Sequence, residues 1–190
     1  MAKDKVIIYE ETGADPSVDL VVTVSGAGRT RVRAVSEAHQ VVDLVRGLVD
    51  EGVDLVELCG GFGAVWHDEV ARVVRGRVPL GAVYFGFESL TSVAAFKARF
   101  EAGEHLSELF IYVHEGADPA FDRLVREKPG GGTTTLVGVP DEAAAAKVAA
   151  ELAADVQLIE LYGGHGPAWA RGVIDAVEAK VPVGVTGYAR

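Results

Sequence analysis

Residues 53–63 read VDLVELCGGFG, and residues 156–166 read VQLIELYGGHG. In each, an apolar run runs into glycines, the pattern of a buried strand that turns into the start of a helix. A glutamate, Glu57 or Glu160, sits inside the apolar run. The two phrases are 103 residues apart, and nearly the whole chain aligns with itself at that shift, the middle segments needing one offsetting single-residue gap on each side. VIIYEETGADPS (6–17) falls on LFIYVHEGADPA (109–120) with six of twelve positions identical. Residues 53–81 fall on 156–184 with thirteen of twenty-nine identical, and the two tryptophans, Trp66 and Trp169, coincide. A period this long is a half-and-half duplication rather than a solenoid repeat.

The repeat fixes a common element order for residues 5–87 and 107–190. A β-branched strand (5–10; 107–113) leads into Gly-Ala-Asp-Pro, where Asp15 and Asp118 are natural N-caps and Pro16 and Pro119 suit the first helical position. The plain helical spacing of PAFDRLVREK therefore predicts a helix in both copies, although PSVDLVVTVSG in the first is valine-rich. A strand (31–35; 133–139), a helix (36–51; 140–154), a strand (53–59; 156–162), a helix (65–76; 167–179) and a strand (79–85; 182–188) follow. Residues 88–104 make a helix joining the halves. Each half reads βαβαβαβ, which implies parallel strands and right-handed crossovers. The expected architecture is a single α/β domain over 1–190, a compact (βα)8 barrel of two half-barrels without an eighth helix. Two small open parallel sheets are the alternative. Interior glutamates favour the barrel, because a sheet covered on both faces would bury each carboxylate against apolar groups.

The formal charge is −10 and 49% of the residues are apolar. Such a chain folds, and it lacks the basic face that nucleic-acid binding needs. The run RTRVR (29–33) reads as a solvated strand end. One cysteine excludes an internal disulfide, and the opening apolar run is too short for a signal peptide or membrane span, so a cytoplasmic location is expected. The uncovered side between the eighth strand (182–188) and the first (5–10) suggests a homodimer.

In a barrel the functional face is the C-terminal end of the strands. Alternation there puts Tyr9, Glu57, Tyr112 and Glu160 in one layer and Glu11, Cys59, His114 and Tyr162 in the next. Glu57 and Glu160, facing across the axis, would couple their ionisations and serve as an acid and a base. Alternatively each is neutralised by a tyrosine or an arginine, such as Arg33, and holds the fold together. His114 is an assisting acid–base group or a packed histidine, and Cys59 a nucleophile or inert packing. Gly60, Gly61, Gly163 and Gly164, with His165, Glu11 and Tyr162, would hold an anion at a helix start, or the glycines serve only tight turns. No motif implies a cofactor, and no metal site is expected.

VDLVELCGGFG, the VPLGAV after the next helix and the GADP near the start together resemble a family of small prokaryotic proteins classed as a domain of unknown function. The resemblance covers both halves, each looking like one member, and departs at Tyr162 and His165. It implies architecture rather than activity: single-copy members would assemble from two chains what is fused here. Two functions follow from the residues. One is an acid–base lyase or isomerase acting on a small anionic metabolite, with Glu57, Glu160 and His114 as its chemistry. The other is a non-catalytic ligand-binding or assembly protein whose glutamates are structural. A mouth filled by Phe62, Tyr162, Phe85 and Tyr188 would favour the second.

Overall fold

A computed structural model describes residues 3–163 and 167–188. The chain divides into one unit of Met1–Val83 with Gly187–Arg190 and another of Tyr84–Thr186. In the first unit the strands are β1 (Lys3–Glu10), β2 (Asp19–Ser25), β3 (Gly28–Val35), β4 (Leu55–Leu58) and β5 (Leu80–Phe85), with helices α1 (Gln40–Glu51) and α2 (Ala64–Val74). The last two residues of β5 fall within the second unit. Their order is β2-β3-β1-β4-β5. β1 runs parallel to β3 and β4, β4 parallel to β5, and β2 antiparallel to β3.

The second unit contains α3 (Leu90–Glu101), β6 (Glu108–Val113), β7 (Arg123–Glu127), β8 (Thr133–Val139), α4 (Glu142–Leu152), β9 (Leu158–Tyr162), α5 (Ala170–Ala176) and β10 (Val183–Tyr188). The last two residues of β10 belong to the first unit. The order β10-β9-β6-β8-β7 repeats the first unit, again with an antiparallel strand, β7, at the edge.

One expectation fails in both copies. The segments after Gly-Ala-Asp-Pro are strands β2 and β7, not helices. Asp15 and Asp118 do cap, but only a single turn: Asp15 Oδ1 accepts from the Ser17 amide at 2.9 Å and Asp118 Oδ1 from the Ala120 amide at 2.9 Å. The chain then extends and pairs. In β7 exposed Arg123, Val125 and Glu127 alternate with half-buried Leu124 and Arg126, a period of two. Each unit is thus βββαβαβ with a mixed five-stranded sheet among the described residues, and the strict (βα)8 alternation is not present. The seam proposed for a dimer also changes. β1 lies between β3 and β4, so its edges are paired on both sides.

Two crossovers in the same direction place both helices of a unit on one sheet face. In the second unit that face is a core of Leu109, Ile111, Val137, Ile159, Leu161 and Val183 against Ala145, Val148, Ala149, Trp169 and Val173. In the first unit the ion pair of Arg31 with Glu51 of α1, at 3.3 Å, marks the helix side as the one carrying Val6, Ile8, Val56 and Leu58. The glutamates project from the opposite face. Asp141 caps α4 as expected, accepting from the Ala144 amide at 2.8 Å. α1 begins at Gln40, whose Oε1 accepts from the Ser36 and Glu37 amides at 2.9 and 3.1 Å in place of the expected Ser36 cap.

Candidate functional site

β4 and β9 each place one glutamate on the sheet face that the helices do not cover. Glu57 is level with Ile7 of β1 and Gly81 of β5. Glu160 is level with Phe110 of β6 and Gly184 of β10. Both are buried, at 0% and 2% exposure, and a buried carboxylate must be hydrogen-bonded to persist. Each is. Tyr188 donates its phenol hydrogen to Glu57 Oε1, and Tyr162 donates its own to Glu160 Oε2.

The two copies reach this pairing by different routes. In β9 the donor stands two residues after the glutamate on the same face of the same strand, and Phe110 meets the Tyr162 ring edge-on at 5.9 Å between centroids. In β4 that position is Cys59, which is buried and supplies no phenol. Tyr188 supplies it instead, from the end of β10. Gly81 makes room: a Cβ there would lie 2.8 Å from the Tyr188 ring and 3.1 Å from Glu57 Cγ. Gly138 does the same for Tyr112, whose ring would lie 2.7 Å from an added Cβ.

The layers read from the sequence shift accordingly. Tyr9 is not level with Glu57 but stands one pleat further along β1, and it donates to Glu11 Oε2 at 2.8 Å. Glu11 is itself buried. Arg33 does not neutralise Glu57: it projects to the helix side and pairs with Asp19. The cation that senses Glu57 is half-buried Lys5 on β1. Burial lowers the Lys5 pKa, the Glu57 charge opposes that shift, and Lys3 adds to it. Lys5 and Tyr188 are neighbours of Glu57 that the sequence alone does not bring to it. The repeat puts both phenols in the second copy, Tyr162 where the first has Cys59 and Tyr188 where it has Phe85, so the first copy has no phenol of its own for Glu57 at either position.

Among the remaining candidates, Cys59 belongs to the first unit and His114 to the second, and both are buried. Phe62, at the tip of the first glycine loop, is also buried, and its amide donates to the Cys59 carbonyl at 3.2 Å in a tight turn. Gly60 and Gly61 are exposed. Gly163 has φ +126, and a Cβ there would lie 2.7 Å from the Val113 carbonyl oxygen, so a backbone approach is enough to require glycine. Gly164 and His165 lie outside the described residues. In α2, burial lowers the His67 pKa; the Phe62 carbonyl beside the ring works against that shift, yet buried Nδ1 has no hydrogen bond among the described residues.

Two hollows stand out in the first unit, and neither includes a glutamate of the pair. One, of about 400 Å3, lies where Arg33, Leu44, Gly47 and Leu48 meet. The other, of about 440 Å3, lies between α1 and α2 and is lined by Arg46, Arg72, Arg75 and Arg77. Among the described residues no group of three or more histidine, cysteine or acidic side chains is placed to hold a metal ion, and no helix is long and apolar enough to cross a membrane.

A model of a family of unknown function (DUF6506) matches residues 3–98 and again residues 106–190. No curated protein matches the chain. Among solved structures, a carbohydrate transporter from Acidothermus cellulolyticus 11B in complex with myo-inositol is similar at 14% identity and a TM-score of 0.36, over 97% of this chain and 73% of that one. A conserved domain protein from Vibrio cholerae O1 biovar El Tor has 10% identity and a TM-score of 0.29, over 95% and 73%. The ABC domain from Streptococcus pneumoniae in complex with L-Trp has 12% identity and a TM-score of 0.28, over 96% and 73%. Likenesses this slight do not bear on function.

Proposed function

Because the chain belongs to the family of unknown function DUF6506, no activity comes with membership, and we propose that it is a non-catalytic binding or assembly protein whose interior glutamates are structural. The observation behind this is the wholly buried Glu57 with the Tyr188 phenol on its carboxylate. A general acid or base must come within hydrogen-bond reach of a substrate, directly or through one water. Glu57 spends its reach on a phenol inside the fold, and Glu160 does the same with Tyr162. The two hollows lie elsewhere.

Assembly has its own support. α3 has no buried residue, and Phe87, Leu90 and Phe100 along this segment are exposed, Phe87 at 91%. On this reading a homodimer would form through α3 rather than through the strand seam expected from the sequence. Native mass spectrometry of the wild type and of Glu57→Gln and Glu160→Gln tests the functional reading. The expected result is the same set of co-purifying small molecules in all three proteins. A metabolite held by the wild type and lost from both folded variants would overturn it in favour of the lyase or isomerase.

A further inference from the structure

The hollow between α1 and α2 concentrates arginine in a chain whose net charge is −10. Its lining holds the four guanidiniums of Arg46, Arg72, Arg75 and Arg77 against the two carboxylates of Asp50 and Glu69, over a floor of Val42 and Val73. Most of the cations have partners. Arg46 pairs with Asp43, and Arg72 with Asp68 and Glu69. Arg77 bonds the Val73 and Val74 carbonyls at 3.2 and 3.4 Å and lies 4.0 Å from Asp50. The Arg75 side chain has no hydrogen bond or ion pair among the described residues. These pairs are solvent-exposed, so each is weak and yields easily to a stronger acceptor.

Helix-end chemistry accounts for Arg77, which bonds the last carbonyls of α2 and falls on Lys180 in the second copy, but not for Arg75. At the shift of 103, Arg72, Arg75 and Arg77 fall on Asp175, Glu178 and Lys180. The corresponding turn keeps the same left-handed backbone, with φ 48 at Arg75 and φ 53 at Glu178. There Glu178 bonds Lys180 at 2.6 Å. One fold therefore carries a cationic side chain at this turn in the first copy and an acidic one in the second. The difference is chemical rather than structural.

We infer that this cleft binds a small phosphate-bearing ligand, with Arg75 and Arg77 as its principal donors. Guanidinium forks match phosphate oxygens two at a time. A phosphomonoester, with about 1.5–2 negative charges near neutrality, would be met by Arg75, which holds no carboxylate among the described residues, and by Arg77, whose nearest one, Asp50, lies at 4.0 Å. A hollow of about 440 Å3 is of ordinary small-ligand size. A long polyanion would have to lie along an acidic surface, whereas a small one meets only the local field within about one Debye length, roughly 8 Å. The site is separate from the glutamates, so it stands whether or not they are catalytic.

Isothermal titration of the full chain at low salt, with inorganic phosphate in one arm and glycerol phosphate in the other, tests the inference. Arg75→Glu copies the residue that the second copy already holds at this turn, so the fold accommodates it; circular dichroism confirms that. The expected result is saturable binding of one or both probes, weakened at least tenfold in Arg75→Glu and in Arg77→Ala. Binding of only the phosphomonoester would assign an organic ligand, and binding of both would assign the phosphate group alone. Absence of binding in both arms, or binding unchanged in the folded variants, would overturn the inference.

Discussion

Tyr188→Phe is the most informative single perturbation of the interior. It removes one oxygen, keeps the ring that packs over Gly81, and takes away the phenol that Glu57 Oε1 accepts from. Glu57 is at 0% exposure, so bulk water cannot replace the donor without opening the structure. A hydrogen bond to a charged group contributes about 1.5–3 kcal/mol. For a chain of 190 residues each kcal/mol moves the Tm by about 2–4 °C, which gives a fall of about 3–12 °C. Urea unfolding followed by circular dichroism is the assay. The midpoint should drop with an unchanged m-value, since the surface exposed on unfolding is the same. Tyr162→Phe should fall in the same range, because Glu160 is held the same way. Stability within about 0.5 kcal/mol of wild type in Tyr188→Phe would refute the reasoning: the phenol would then not be what keeps the carboxylate inside.

Three further outcomes follow from named contacts. Gly163→Ala should lose about 1–3 kcal/mol in chemical denaturation, because it adds a Cβ 2.7 Å from a backbone oxygen at φ +126; a neutral result would return that loop to consideration as a ligand cradle. Asp141→Ala should cost about 1 kcal/mol by removing the α4 cap, seen as a lower thermal midpoint. Asp4 contributes to acid sensitivity. Burial alone would raise its pKa, but Arg29 and Arg31, at 2.6 and 2.9 Å, hold it below the usual value. A carboxylate depressed in the folded state stabilises fully above its unfolded pKa of about 3.9, and loses that contribution as pH falls through the folded pKa. Asp4→Asn should therefore flatten the stability-against-pH curve below about pH 4; an unchanged slope there would remove Asp4 from the account.

The duplication made most of the fold legible. Strands β1, β3, β4 and β5 and helices α1 and α2, with their counterparts in the second copy, lie close to where hydrophobic patterning put them. β2 and β7 were hidden by Asp-Pro, a helix-starting signal that here opens one turn and stops. Local chemistry could not tell a turn that propagates from one that ends, because edge pairing with β3 or β8 decides it. The valines of PSVDLVVTVSG were the better guide, and the repeat then carried the helix reading of 119–128 onto them. For the site, alternation placed Glu57 and Glu160 on the right face. It could not give register, which depends on where neighbouring strands start, so Tyr9 was set level with Glu57 although it lies a pleat away. The Tyr188–Glu57 bond spans 131 residues, and no local pattern signals it.

Carboxyl footprinting of the folded protein, with a carbodiimide and an amine and readout by peptide mass spectrometry, tests the central claim most directly. Glu57 and Glu160 should remain unmodified under conditions that label exposed Glu37 and Glu142, and should become labelled only on unfolding. Labelling of Glu57 or Glu160 at the rate of those exposed carboxylates, in protein that is still folded, would contradict it.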